Sequence, residues 1–355
     1  MGHRWTSRLI VAASLAGATT ASAQALKQAG LVRLPDAPVT QIGAIAVDPA
    51  AGLGYLAEKD NRGVVVFDLA KDAFVSRVAG FAGITKDPDA SGPNSVLPVN
   101  AAEVWVGDGD STVRIVDPRA GKVTATIATG GKLRANAMAR DPAGKTVIVA
   151  NSNDEVPFLS VVSSEPGHGI VSKIPVPQSA ENIERSVFQA SAGLFWTAIP
   201  VFAGDRSKGL LAQTESRTGK LVRFHELDGC HPHSLQLVSE TTIFLGCSNG
   251  HGPAPKPGGD LAVFDIAAGK VVARFEGLGG NGSSALDPAA GRYYHATTNA
   301  SLLVIDIATR TLVEKIATSP GARAVAVNPA NGRVWLATTA KEGPCGGCIV
   351  VYAGR

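Results

Sequence analysis

The residues best suited to chemistry are concentrated in Cys230-His231-Pro232-His233 and Cys247-Ser-Asn-Gly-His251. Two thiols and three imidazoles in one hairpin are a donor set for Zn or Cu, with His231, His233 and His251 as the metal candidates. The same two cysteines flank a two-strand hairpin, where they can face each other. An oxidising compartment favours a Cys230–Cys247 disulfide over metal there. Alternation along the strand sends His231 and His233 to one side and Pro232 to the other. His233 is then the candidate titrating group, and the candidate general base if the protein is catalytic. Cys345-Gly-Gly-Cys348 has the spacing of a redox or metal motif, but thioredoxin-like sites open a helix in an α/β fold. Here the motif lies in a loop between short β runs, so a second local disulfide is expected, leaving no cysteine free. Glu58, Asp60, Asp108, Asp110, Asn151, Asn153 and Asp154 are oxygen donors of the kind Ca takes, and equally the residues that tight turns require.

The elements that must position these groups repeat along the chain. A turn recurs as Asp48-Pro-Ala-Ala-Gly52, Asp141-Pro-Ala-Gly144, Asp287-Pro-Ala-Ala-Gly291 and Asn328-Pro-Ala-Asn-Gly332, with weaker copies near Asn100, Ser191 and Ser239. Each is followed by a strand carrying a large apolar residue: Tyr55, Trp105, Ile148, Trp196, Phe244, Tyr294 and Trp335. A third strand repeats as Val-Val-Phe-Asp68, Arg-Ile-Val-Asp117, Ala-Val-Phe-Asp265 and Val-Ile-Asp306. Strand-length runs separated by Asp, Asn, Pro and Gly read as antiparallel meanders. Seven copies at a spacing of roughly 40 to 50 residues match the blades of a β-propeller. The expected fold is all-β: a single seven-bladed β-propeller over residues 24–355, with four-stranded antiparallel blades. The last blade stops after its third strand, and residues 25–35 read as an orphan fourth strand. The N-terminal strand is therefore expected to complete the last blade and close the ring, removing two open edges.

The pattern DPAAGxxY(L/H)A followed by VxVxDxAxxKVV resembles the YncE-like, YVTN-type seven-bladed propellers of bacterial periplasms, over nearly the whole mature chain. That resemblance implies the propeller fold and an exported protein. It does not fix an activity, because the group includes DNA-binding, surface-layer and cofactor-associated members, and a fold alone carries no chemistry.

Residues 1–23 read as a secretory signal peptide: Arg4 and Arg8, an apolar run from Leu9, then Ala21-Ser-Ala23 before the cleavage point. Removing Arg4 and Arg8 with it takes the formal charge from +3 to +1. A near-neutral chain with no Lys/Arg cluster and few free aromatic residues does not point to nucleic acid, and no later stretch has the length of a membrane span. The expected location is the periplasm or beyond. No Gly-x-Ser-x-Gly elbow, His-Glu-x-x-His, phosphate loop or dinucleotide fingerprint is present. Long loops at Gly80–Gly92, Ile199–Lys208 and Ser248–Asp260 break the repeat; the last two follow second strands and should share one face.

Aligning the first strands on their shared turn gives the residues that enter the central channel: Gln41, Asn94, Arg134, Asn136, Arg185, His233, Asn281 and Arg323. A ring of Arg, His and Asn can hold an anionic or carbonyl-bearing ligand. The expected function is binding of a small anionic ligand, or of a periplasmic partner protein, at this channel-mouth face. The alternative is a lactonase-like hydrolase or lyase using His233 or a divalent cation, Ca or Zn, at the same mouth.

Overall fold

The computed structural model describes residues 25–36, 39–248, 258–340, 345 and 347–354. The signal-peptide segment, His251 and most of the loop around it lie outside the described residues.

Seven four-stranded antiparallel sheets form the structure, as the repeat predicts. Blade one is Ile42–Asp48, Leu53–Glu58, Gly63–Asp68 and Ala73–Ala79, and five more blades follow the same up-and-down order. The seventh is Ala324–Asn328, Arg333–Thr338 and Cys348–Gly354, with Leu26–Arg33 hydrogen-bonded along its outer edge. The closure expected from the orphan strand is therefore present, with Val32 opposite Ile349 and Arg33 opposite Cys348. The first strands of successive blades touch one another all the way round, the last against the first, so they line the axis.

The recurring acidic residue at the end of the third strands serves the turn. Asp68 Oδ1 accepts from the Ala70 and Lys71 N–H groups at 2.8 Å, and Asp117 and Asp306 cap their own turns in the same way. This local pairing satisfies donors that a two-strand connection would otherwise expose.

Between the blades the core is divided into seven clusters, one per interface. Phe67 of blade one packs on Trp335 of blade seven, and Trp196 of blade four on Phe264 of blade five. Second strands face a neighbour on both sides, and the one at Thr146–Asn151 is buried throughout. Outer strands alternate instead, as in Lys270–Glu276, because only one face meets protein. No helix among the described residues is long and apolar enough to cross a membrane.

Removing residues 1–33 would leave the Cys348–Gly354 strand as an open edge and expose the core around Val32. The truncated chain is expected to melt at lower temperature and to associate with rising concentration, both absent from the intact chain; thermal unfolding and light scattering check this.

Candidate functional site

Each first strand begins at one face of the disc, and each second strand ends there. The loops after the second strands and the connections between blades therefore gather on that face, around the axis. There they enclose a cavity of about 250 Å³ lined by Asn94, Arg134, Asn136, Arg185, His233, Asn281 and Arg323. Seven of the eight residues aligned from the repeat are thus brought together. Gln41 is the exception: it is exposed and does not line the cavity. Its peptide group works there instead, the N–H donating to Asp60 at 2.7 Å and the carbonyl accepting from Lys59 N–H at 3.1 Å.

Three further polar side chains join them in the lining: Lys59, Asn182 and Glu184. Lys59 sits in the turn after the second strand of blade one, between the Glu58 and Asp60 singled out in the sequence. Glu184 and Arg185 are consecutive yet both face the cavity, because the segment before Ser186–Gln189 has not yet entered the sheet and does not alternate. That segment is fixed by Glu184 N–H to Ala198 O and Ala198 N–H to Arg185 O, each 2.9 Å. Gly43 allows blades one and two to meet at the mouth: a Cβ there would lie 2.3 Å from the Asn94 carbonyl oxygen.

Local irregularity aims several of the side chains. The Ile42–Asp48, Ala135–Asp141 and His231–Ser239 strands each carry a register shift near the channel end. The shift between Pro232 and Ser234 makes His233 the extra residue, so simple alternation does not hold. His231 Nδ1–H donates to the Pro200 carbonyl at 2.8 Å and does not line the cavity, whereas His233 does. The expectation that alternation sends both histidines to one side of the strand is corrected by that bulge. Cys230 and Cys247 form a disulfide, as do Cys345 and Cys348, so the thiols are not metal ligands.

The acidic and amide residues considered for Ca are engaged elsewhere. Glu58 accepts from Arg77 Nε and Asp108 from Arg114 Nε, each at 2.8 Å. Asp60 caps Thr40, Asp110 pairs with Arg114 and Asn151 bonds Ser160. Asn153 holds Arg134 Nε at 2.8 Å, and Asp154 Oδ1 accepts from Lys132 N–H at 2.7 Å. Among the described residues no group of three His, Cys, Asp or Glu has metal-binding geometry.

The cavity is strongly cationic. Lys59, Arg134, Arg185 and Arg323 face one carboxylate, Glu184. His233 Nδ1 lies 3.6 Å from Glu184 Oε1, an electrostatic contact longer than a hydrogen bond. Burial pushes Glu184 upward, but His233, Arg185 and Arg134 outweigh it and hold the carboxyl below its usual range. Burial also lowers Arg185, with Glu184 opposing and Arg323 adding to the shift. Arg134 is steadied by Asp89 at 3.6 Å, and an Arg323 nitrogen reaches the Ile42 carbonyl at 3.3 Å. Cations collected in excess over the carboxylates beside them favour an incoming anion. No protein-family model matches the chain, and no curated protein is significantly similar to it in sequence.

Glu184 has its folded pKa below the unfolded value. Its contribution to stability is therefore fully present above the ordinary glutamate range and is lost as pH falls through that depressed value. Glu184→Gln is expected to lower the melting temperature at neutral pH, with the gap to wild type closing as the medium is acidified below about pH 4. A gap independent of pH would show that the carboxylate charge is not what matters.

Proposed function

We propose that this chain is an exported propeller of the YncE-like, YVTN type that binds a small anionic ligand at its channel mouth. The observation that carries the reading is the convergence of Arg134, Arg185, Arg323 and Lys59 on one small polar cavity where Glu184 is the single carboxylate among the described residues. Guanidinium groups offer paired donors that match carboxylate or phosphate oxygens, and Asn94, Asn136, Asn182 and Asn281 add neutral donors and acceptors for the rest of a polar ligand. A concave cavity of this size suits a small molecule better than a protein side, whose interfaces are broad. The two disulfides fit an oxidising compartment, and with the N-terminal segment they support the periplasmic assignment.

The metal-dependent hydrolase reading does not fit these residues. Four cations around one carboxylate would repel Ca or Zn, and the oxygen donors nearby already hold arginines and turns. His233 beside Glu184 keeps a proton-transfer group at the mouth, which is compatible with binding and with metal-free chemistry alike.

Oxalate, malonate and citrate, titrated calorimetrically at low salt, test the proposal. At least one is expected to bind, with affinity falling as ionic strength rises. Arg185→Ala and Arg323→Ala should each weaken that ligand by about 10- to 100-fold, from the ~1.5–3 kcal/mol of a hydrogen bond to a charged group. Equal affinity in both variants would place the site elsewhere.

A further inference from the structure

Lys59 differs from the other cations of the mouth in what surrounds its amine. Its backbone is fixed at both ends, N–H to Gln41 O and carbonyl to Arg62 N–H at 3.1 Å each, and the residue is only 7 % exposed. Yet Nζ makes no hydrogen bond or ion pair with any described residue. Lys208, which begins a third strand on the same face, shows the ordinary arrangement. Its amine lies 2.7 Å from Glu226, 3.2 Å from Asp228 and 3.9 Å from Asp205, and its pKa is pushed up to about 12. A buried lysine facing a cavity beside other cations, with no carboxylate against its own amine, has the setting of a nucleophilic amine.

We propose that Lys59 Nζ is a carbonyl-reactive amine, and that the channel mouth takes small 2-oxo acids as a Schiff base. The inference rests on the anion site described above and assigns its ligand class. The arginines would hold the carboxylate while the adjacent carbonyl carbon meets Nζ. The nitrogen lone pair forms the C–N bond, and the C=O π pair moves to oxygen, which takes a proton from the attacking nitrogen. A second proton, from solvent or from His233 held by Glu184, converts the hydroxyl to water. The nitrogen pair then forms the C=N bond as water leaves. The net change is ammonium plus carbonyl to iminium plus water, with no oxidant or reductant consumed.

The electrostatics supply the neutral amine that this step needs. Burial lowers the Lys59 pKa most, Arg134 and Arg323 lower it further, Asp89 opposes, and the group titrates at about 8. Arg185 and the Glu184–His233 pair face the same cavity. An amine titrating there is about one-tenth neutral at pH 7, roughly two-hundredfold more than an ordinary lysine. Its weaker basicity takes back part of that gain, leaving about a tenfold advantage over an exposed amine.

The test is reductive trapping of the full mature chain with glyoxylate and cyanoborohydride, followed by peptide mapping. Lys59 is expected to carry the adduct about tenfold faster than exposed Lys71 at pH 7, with its rate levelling above about pH 8 while that of Lys71 keeps rising. Oxalate should protect Lys59 and leave Lys71 unaffected, and acetaldehyde, which lacks the carboxylate, should lose the preference. Lys59→Arg, if it melts like wild type, should lose the adduct; the protection experiment needs no variant. Labelling of Lys59 no faster than Lys71, or a rate without the plateau, would overturn the Schiff-base proposal. Oxalate binding that persists in that case leaves the anion site standing, and its absence removes both.

Discussion

Closure of the ring governs everything else in this molecule. Seven sheets each bury their faces only against neighbours, and where the last meets the first, Leu26–Arg33 completes the last sheet by pairing with Cys348–Gly354. Without that pairing, the core cluster between those two sheets would lose Val32 and an unpaired edge would remain. With it, the inner strands are held in a closed circle whose diameter is set by the packing of Phe67, Trp335, Trp196, Phe264 and their counterparts.

A rigid circle makes an otherwise unfavourable collection of charges tolerable. Arg134, Arg185, Arg323 and Lys59 belong to four different blades, and none could approach the others in a flexible chain without strong repulsion. The backbone bonds of each inner strand, together with Asn153 behind Arg134 and the Ile42 carbonyl at Arg323, hold them there. The folding energy of the interfaces offsets the electrostatic cost, and a field that favours anions is the result. Glu184 relieves part of the repulsion and at the same time anchors His233, so this acid has both a structural and an electrostatic effect.

The disulfides belong to the same division of labour. Cys230–Cys247 joins the residue preceding the inner strand of blade five to its second strand, next to the bulge that turns His233 into the cavity. The residues that looked like metal ligands in the sequence are used in this way throughout: thiols as crosslinks, Glu58 and Asp108 as arginine partners, Asp60 as a turn cap. Spacing alone could not separate those uses from metal binding, because a hairpin presents the same residue types for each.

The seven-fold repeat, the antiparallel blades and the closing strand follow from the sequence itself, because turn residues and strand periodicity are local and recur in register. The repeat also placed Asn94, Arg134, Asn136, Arg185, His233, Asn281 and Arg323 at strand starts, and a closed ring leaves such positions nowhere to go but the axis. What only the tertiary structure decided is where the pattern breaks. Gln41 turns outward while Lys59 and Glu184 turn in, and a bulge separates His233 from His231. Those outcomes depend on register shifts, on non-alternating loop segments and on charges contributed by other blades. They arise from contacts between residues far apart in the chain, which no local pattern encodes.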